Sequence, residues 1–216
     1  MAEEFTVVHV NGYGLHHGGV KGSVKLAEKR VPNFRDWMHV MYGEPRNDSM
    51  GRVPKALLCA RREEADAIVW STGSSRSREG TIESEYLFNK AIEWYPRMLS
   101  DFPSFRGLWA SDKRFDAWMG ARSSFDRKSM TTFESIEVLE TIVREEMNVL
   151  PATSLKVISI TSANHAPRVQ RDLADRFDVG TGAPRYWSDI TLHVVPAETN
   201  YGNKWVRDVV VQDLGK

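Results

Sequence analysis

His165 and Arg168 carry side chains suited to proton transfer and anion binding, and they lie three positions apart in SANHAPRVQRDL. On a helix that spacing puts both on one side. An imidazole titrates near neutral pH and can donate, accept or shuttle a proton. A guanidinium fork fits a phosphate or a carboxylate. Before them stand Thr161 and Ser162, whose hydroxyls suit the same oxygens, and before those the apolar run Val157-Ile158-Ser159-Ile160. An apolar strand feeding a helix start is where open α/β sheets hold ligands, because free N–H groups and the helix dipole point there. The competing reading of this junction alone is a helix cap with two solvated side chains.

Two further loops have a similar make-up. Asn11-Gly12-Tyr13-Gly14 follows the alternating run FTVVHV, and Ser71-Thr72-Gly73 follows DAIVW. Small residues let the backbone approach a ligand, and hydroxyls with N–H groups accommodate anionic oxygens. Glu85 and Glu134 fall in the first turns of two expected helices, with Ser84 and Thr132 beside them. The dipole favours a carboxylate there, so either residue can be a cap, and Thr131 with Glu134 reads as a capping box. A cleft holding these carboxylates with His165 and Arg168 carries both signs of charge. It suits a zwitterionic or nucleotide-like ligand better than a bare phosphate.

Standard fingerprints are missing. The first loop is not G-x-G-x-x-G, no G-x-x-x-x-G-K-[ST] occurs, and Ser71 is not in G-x-S-x-G. His16 and His17 are adjacent, and neither H-x-x-x-H nor a cysteine pair is present, which disfavours structural zinc. A divalent metal held by carboxylates and phosphate oxygens leaves little trace in sequence and stays open.

The elements that must position these residues alternate. Strands are expected at FTVVHV, DAIVWSTG, KVISIT and DITLHVVP. Helices are expected within residues 20–42, at PKALLCARREEA, at TIESEYLFNKAIEWYPRML, at MTTFESIEVLETIVREEMNVL and after His165. GEPRNDSMGRVP reads as a surface loop, and VRDVVVQDL is left without a type. Alternating strands and helices predict an α/β, Rossmann-like, mostly parallel sheet with helices on both faces. At 216 residues a single domain over 1–216 is expected. An aromatic- and Arg/Lys-rich insertion at about 103–127 interrupts the alternation, and its expected role is a lid over the cleft, with Trp109 or Trp118 near the ligand.

Twenty-nine Lys and Arg balance 29 Asp and Glu, which argues against nucleic acid as a partner. The single cysteine, Cys59, excludes an internal disulfide and reads as a core thiol. No apolar run approaches the roughly 20 residues that cross a bilayer. A soluble, cytoplasmic protein without a membrane partner is expected, and nothing in the sequence sets an oligomeric state.

In order along the chain, these motifs resemble the YdcF-like family (domain of unknown function 218). That pattern has a glycine turn after strand one, then S-G-G, S-E-A, S-x-x-T-x-E-N, and finally V-T-S with H-x-x-R. Here Ser71-Thr72-Gly73, Ser84-Glu85-Tyr86, Ser129 with Thr132, Glu134 and Ser135, and Ile160-Thr161-Ser162 with His165 and Arg168 correspond. The resemblance covers about residues 5 to 180. Thr72 replaces a glycine, Tyr86 an alanine and Ser135 an asparagine. The resemblance implies a Rossmann-like sheet with a polar cleft, and S-adenosylmethionine as a possible cofactor. The expected function is binding of a small adenosine-type or nucleotide ligand by an enzyme using His165, Glu85 and Glu134. Metal-assisted phosphoester or pyrophosphate hydrolysis and a non-catalytic ligand sensor or assembly partner are the alternatives.

Overall fold

The computed structural model describes residues 4–12, 40–47, 49–72, 80–109, 112–149, 154–163, 165–177 and 186–197. Expected elements within residues 20–39, the VRDVVVQDL segment, and the site candidates Gly14 and Gly73 lie outside them. Five strands form one parallel sheet: β1 (Glu4–Val10), β4 (Ala67–Trp70), β5 (Ser123–Phe125), β6 (Ser154–Ser162) and β7 (Asp189–Ala197). Their order is β5-β4-β1-β6-β7, which is 3-2-1-4-5 when the strands are counted along the chain. The protein therefore has the Rossmann-like α/β arrangement, with its topological switch point between β1 and β6.

Strand alternation divides the core in two. Val8 and Val10 with Ile68, Trp70, Ile158 and Ile160 face helices α1 (Arg52–Arg62), α2 (Glu83–Asp101) and α3 (Asp112–Arg122). Val7, Val69, Leu155 and Val157 face α4 (Thr132–Thr141) and α5 (Ala166–Arg176). With both faces covered, the central strands read as nearly continuous apolar runs, as parallel strands do. The α4 helix is shorter than its sequence pattern, because residues Ile142–Glu146 open into a π turn with Met147 N donating to Ile142 O at 2.9 Å.

The segment read as a surface loop is more structured than its composition indicates. It forms a small antiparallel hairpin, β2 (Gly43–Glu44) and β3 (Ser49–Met50), and runs straight into α1. A Cβ on Gly51 would lie 2.5 Å from Met41 C, so only glycine lets this turn close against the preceding chain. That closure sets the position of Arg52, the first residue of α1. Cys59, on the same helix, is half-buried, and burial pushes its thiol up.

The rings of the aromatic insertion, expected to form a lid, pack into the core instead. The insertion's α3 and β5 extend the sheet and the first helical layer. Arg122 Nε donates to Ala65 O, just ahead of β4, and Arg61 in the last turn of α1 donates to Leu108 O, both at 3.1 Å. Those contacts hold Leu108 and Arg122 at the amino edge of the sheet, while β5 carries the end of the insertion, Phe125 and Asp126, to the carboxyl edge. Phe115 stacks on Tyr95 with centroids 3.8 Å apart, and Trp109 meets Phe115 edge-on at 5.1 Å. Phe105, Phe115 and Met119 are buried. With so much apolar area available to bury, core packing wins over exposure as a lid.

Candidate functional site

At the carboxyl edge, the first two loops meet at Gly12 and Thr72. A Cβ on Gly12 would fall 1.9 Å from Thr72 Oγ1, so the approach requires glycine. Thr72 itself sits at φ 91°, in the left-handed region that a β-branched side chain disfavours. Such strain, on the order of 1–3 kcal/mol, persists only where the surroundings impose it.

Below these loops lies a buried polar network centred on His9, a residue that belongs to none of the sequence motifs. The His9 imidazole is fully buried and meets a hydroxyl from each of three elements: Ser71 at 2.7 Å and Ser135 at 3.2 Å through Nε2, and Ser159 at 3.1 Å through Nδ1. Asn11 Nδ2 donates to Ser159 Oγ at 2.8 Å and to Ile160 O at 3.1 Å. Burial pulls the imidazole from 6.5 down to about 4, against the opposing charge of Asp126. His9 is therefore neutral at pH 7. Ser135 spends its hydroxyl on this ring. The available signal was a lone titratable residue inside a valine strand with both faces buried.

Asp126, directly after β5, is also buried. Its carboxylate accepts from Lys128 N at 2.9 Å, from Ser129 N at 3.0 Å and from Ser129 Oγ. Ser84 Oγ donates to Asp126 O at 2.7 Å, which anchors the start of α2 at the carboxyl edge. Ser84 and Ser129 thus both serve this turn. Glu85 is half-exposed and pairs with Arg127 at 2.9 Å. Glu134 forms one half of the capping box, its N–H donating to Thr131 Oγ1 at 3.2 Å, while its carboxylate accepts from Met130 N, one residue before the cap, at 2.6 Å.

His165 caps α5 from an αR conformation, with its N–H donating to Ser162 O at 3.0 Å and no side-chain bond to the helix's first turn. Arg168 is about half exposed. Its Nη2 donates to Thr132 Oγ1 at 3.1 Å, and Asp172 lies 3.7 Å from its Nε. The starts of α4 and α5 are therefore side by side, on the same face of the sheet. Glu85 is not with them. It sits by β5, three strand spacings from β6, or about 14 Å at the usual separation.

The end of β6 divides the switch point. Ser162 turns toward α1, where fully buried Arg52 donates to its hydroxyl, to Gly12 O and, at 2.8 Å, to Asn11 O. Thr161 turns the other way, onto the face of α4 and α5, and its buried Oγ1 has no hydrogen-bond partner. Among the described residues, no group of three or more His, Cys, Asp or Glu side chains could hold a metal ion, and no helix is long and apolar enough to cross a membrane.

The fold is that of a Rossmann-like α/β protein, with buried polar groups gathered at the carboxyl edge of its sheet. Comparison with protein-family models, curated proteins and solved structures finds no match.

Proposed function

We propose that this chain is a YdcF-like protein that binds a small adenosine-type or nucleotide ligand at the carboxyl edge and acts on it as an enzyme. S-adenosylmethionine is among the candidate ligands. The observation that carries the reading is the 3-2-1-4-5 strand order, whose switch point gathers Asn11, Gly12, Thr161, Ser162, His165 and Arg168 at one edge. Crevices of this kind are where open parallel sheets hold their ligands. Thr72, in a glycine-favouring conformation where the family pattern has glycine, supports the resemblance.

Arg168 then meets the ligand's anionic group, and His165 carries the proton. Glu134 shapes the site through the cap it forms, while Glu85 stays with Arg127 at the β5 end of the edge, outside it.

Thermal-shift titration with S-adenosylmethionine, S-adenosylhomocysteine and adenine nucleotides tests the reading, since a ligand at a hundred times its Kd adds about 2.7 kcal/mol of stability. Arg168→Ala should lower folding stability by less than about 1 kcal/mol, because its contacts are solvent-screened. Affinity should fall about ten- to a hundredfold. His165→Gln should keep binding and lose turnover. Unchanged affinity in the arginine variant refutes the site. A shift seen only with divalent metal assigns a hydrolase instead, and binding without turnover assigns a sensor.

A further inference from the structure

Among the described residues, two helix N-termini lie at the switch point, and the structure treats them differently. In a dinucleotide-binding loop, backbone N–H groups after the first strand face a pyrophosphate at the start of the next helix. Here Asn11 and Gly12 present carbonyl oxygens instead, and the Arg52 guanidinium fills the space between them and Ser162. Gly51 packs against Met41 and closes that helix start further. The α1 end is thus completed from within the chain.

At the α5 end the situation is reversed. The helix has no side-chain cap, and Arg168 extends from its first turn toward Thr132. Beneath that turn is Thr161, 1% exposed, with an Oγ1 that has no partner. It shares a face with Ser159 and Val157, the face against which α5 packs. A buried hydroxyl left unpaired is destabilising unless something bonds it.

Next to this point lies an apolar lip. Met130 and Phe133 are 76% and 45% exposed, and they are the exposed large hydrophobics among the described residues. A residue just before a helix cap usually packs on the fourth helical residue. In α4 that residue is Ser135, turned inward to His9, so Met130 has no staple partner. Both apolar side chains stand within one turn of Thr132, which receives the Arg168 bond.

From this juxtaposition we infer that the ligand's anionic group, a carboxylate or phosphate, binds at Thr161 and the first turn of α5, not at α1, and that a flat apolar ring joined to it lies on Met130 and Phe133. The inference rests on the function proposed above and adds the ligand's orientation and chemical class.

The test uses the full chain with AMP (phosphate), S-adenosylhomocysteine (carboxylate) and inorganic phosphate as probes. Thr161→Val keeps shape and removes the hydroxyl. Without ligand its Tm should be equal to or above wild type, while affinity for AMP or S-adenosylhomocysteine falls about tenfold or more. Met130→Ser/Phe133→Ser should weaken the ring-bearing probe by about tenfold and leave competition by inorganic phosphate unchanged. Which of the two ring-bearing probes binds identifies the anion. If a probe binds wild type and Thr161→Val alike, this placement is overturned while the proposed function stands. A Tm drop of several degrees in unliganded Thr161→Val also overturns it, since the hydroxyl is then structural. If no probe binds wild type, the proposed function and this inference fall together.

Discussion

The two edges of the sheet are built on opposite principles. At the amino edge, rings from Tyr95, Phe105, Trp109, Phe115 and Trp118 pack on one another. At the carboxyl edge, buried His9, Arg52 and Asp126 each hold several hydrogen bonds, and Thr72 is strained. The first edge gains stability through area. The second spends part of it on polar groups that must be matched one by one. The difference teaches that an unusual composition need not mark the polar edge: the richest aromatic stretch is scaffold, and the buried polar groups lie among small residues.

The largest expected effect separates the edges most cleanly. Phe115→Ala removes a fully buried, stacked ring and should destabilise by roughly 3–5 kcal/mol, read by denaturant unfolding. Ligand affinity per folded molecule should not change. A variant that folds well but binds poorly would break the division between scaffold and site.

Next comes His9, where the polar edge should respond to pH and the aromatic edge should not. Its folded pKa lies below its ordinary value, so the folded state prefers the neutral ring. The contribution is complete above about 6.5 and is lost as pH falls toward about 4. The loss amounts to roughly 3 kcal/mol at 1.36 kcal/mol per pKa unit. Unfolding titrations of wild type and His9→Gln should converge over that window. Parallel curves would mean that the ring is not held neutral.

The smallest effect is a gain. Thr72→Gly relieves the left-handed backbone and should stabilise by about 1 kcal/mol, after the entropy of the added glycine is subtracted. A loss instead would show that the Thr72 side chain at Gly12 contributes more than its strain.

The alternation of runs such as FTVVHV and KVISIT made the parallel sheet and its helix layers legible, because periodicity reports directly on which faces are buried. The capping box at Thr131 and Glu134 was equally plain, being local chemistry. Arg52 was not legible. It stands in GRVP, whose composition signals a loop, and its burial depends on Gly12 and on Ser162, which is 110 positions away. The destination of the insertion was hidden for a similar reason. Its place is set by Arg61 and Ala65, outside the insertion itself. Loop make-up located Thr161, His165 and Arg168 at the carboxyl edge, while spacing could not show that Glu85 lies at the far end of it.

The central position of β1 has a consequence for how the chain comes together. Its two neighbours are of very different age on the ribosome: β4 follows within some sixty residues, whereas His9 and Ser159 are 150 positions apart. The first face, drawn mostly from residues up to Met119, can close while the other flank of β1 is still open. Ser135 and Ser159 arrive afterwards. A nascent chain ending at Asp126 therefore has its aromatic packing nearly whole, a histidine without two of its three hydroxyls, and a central strand whose open edge can pair with other chains until β6 emerges.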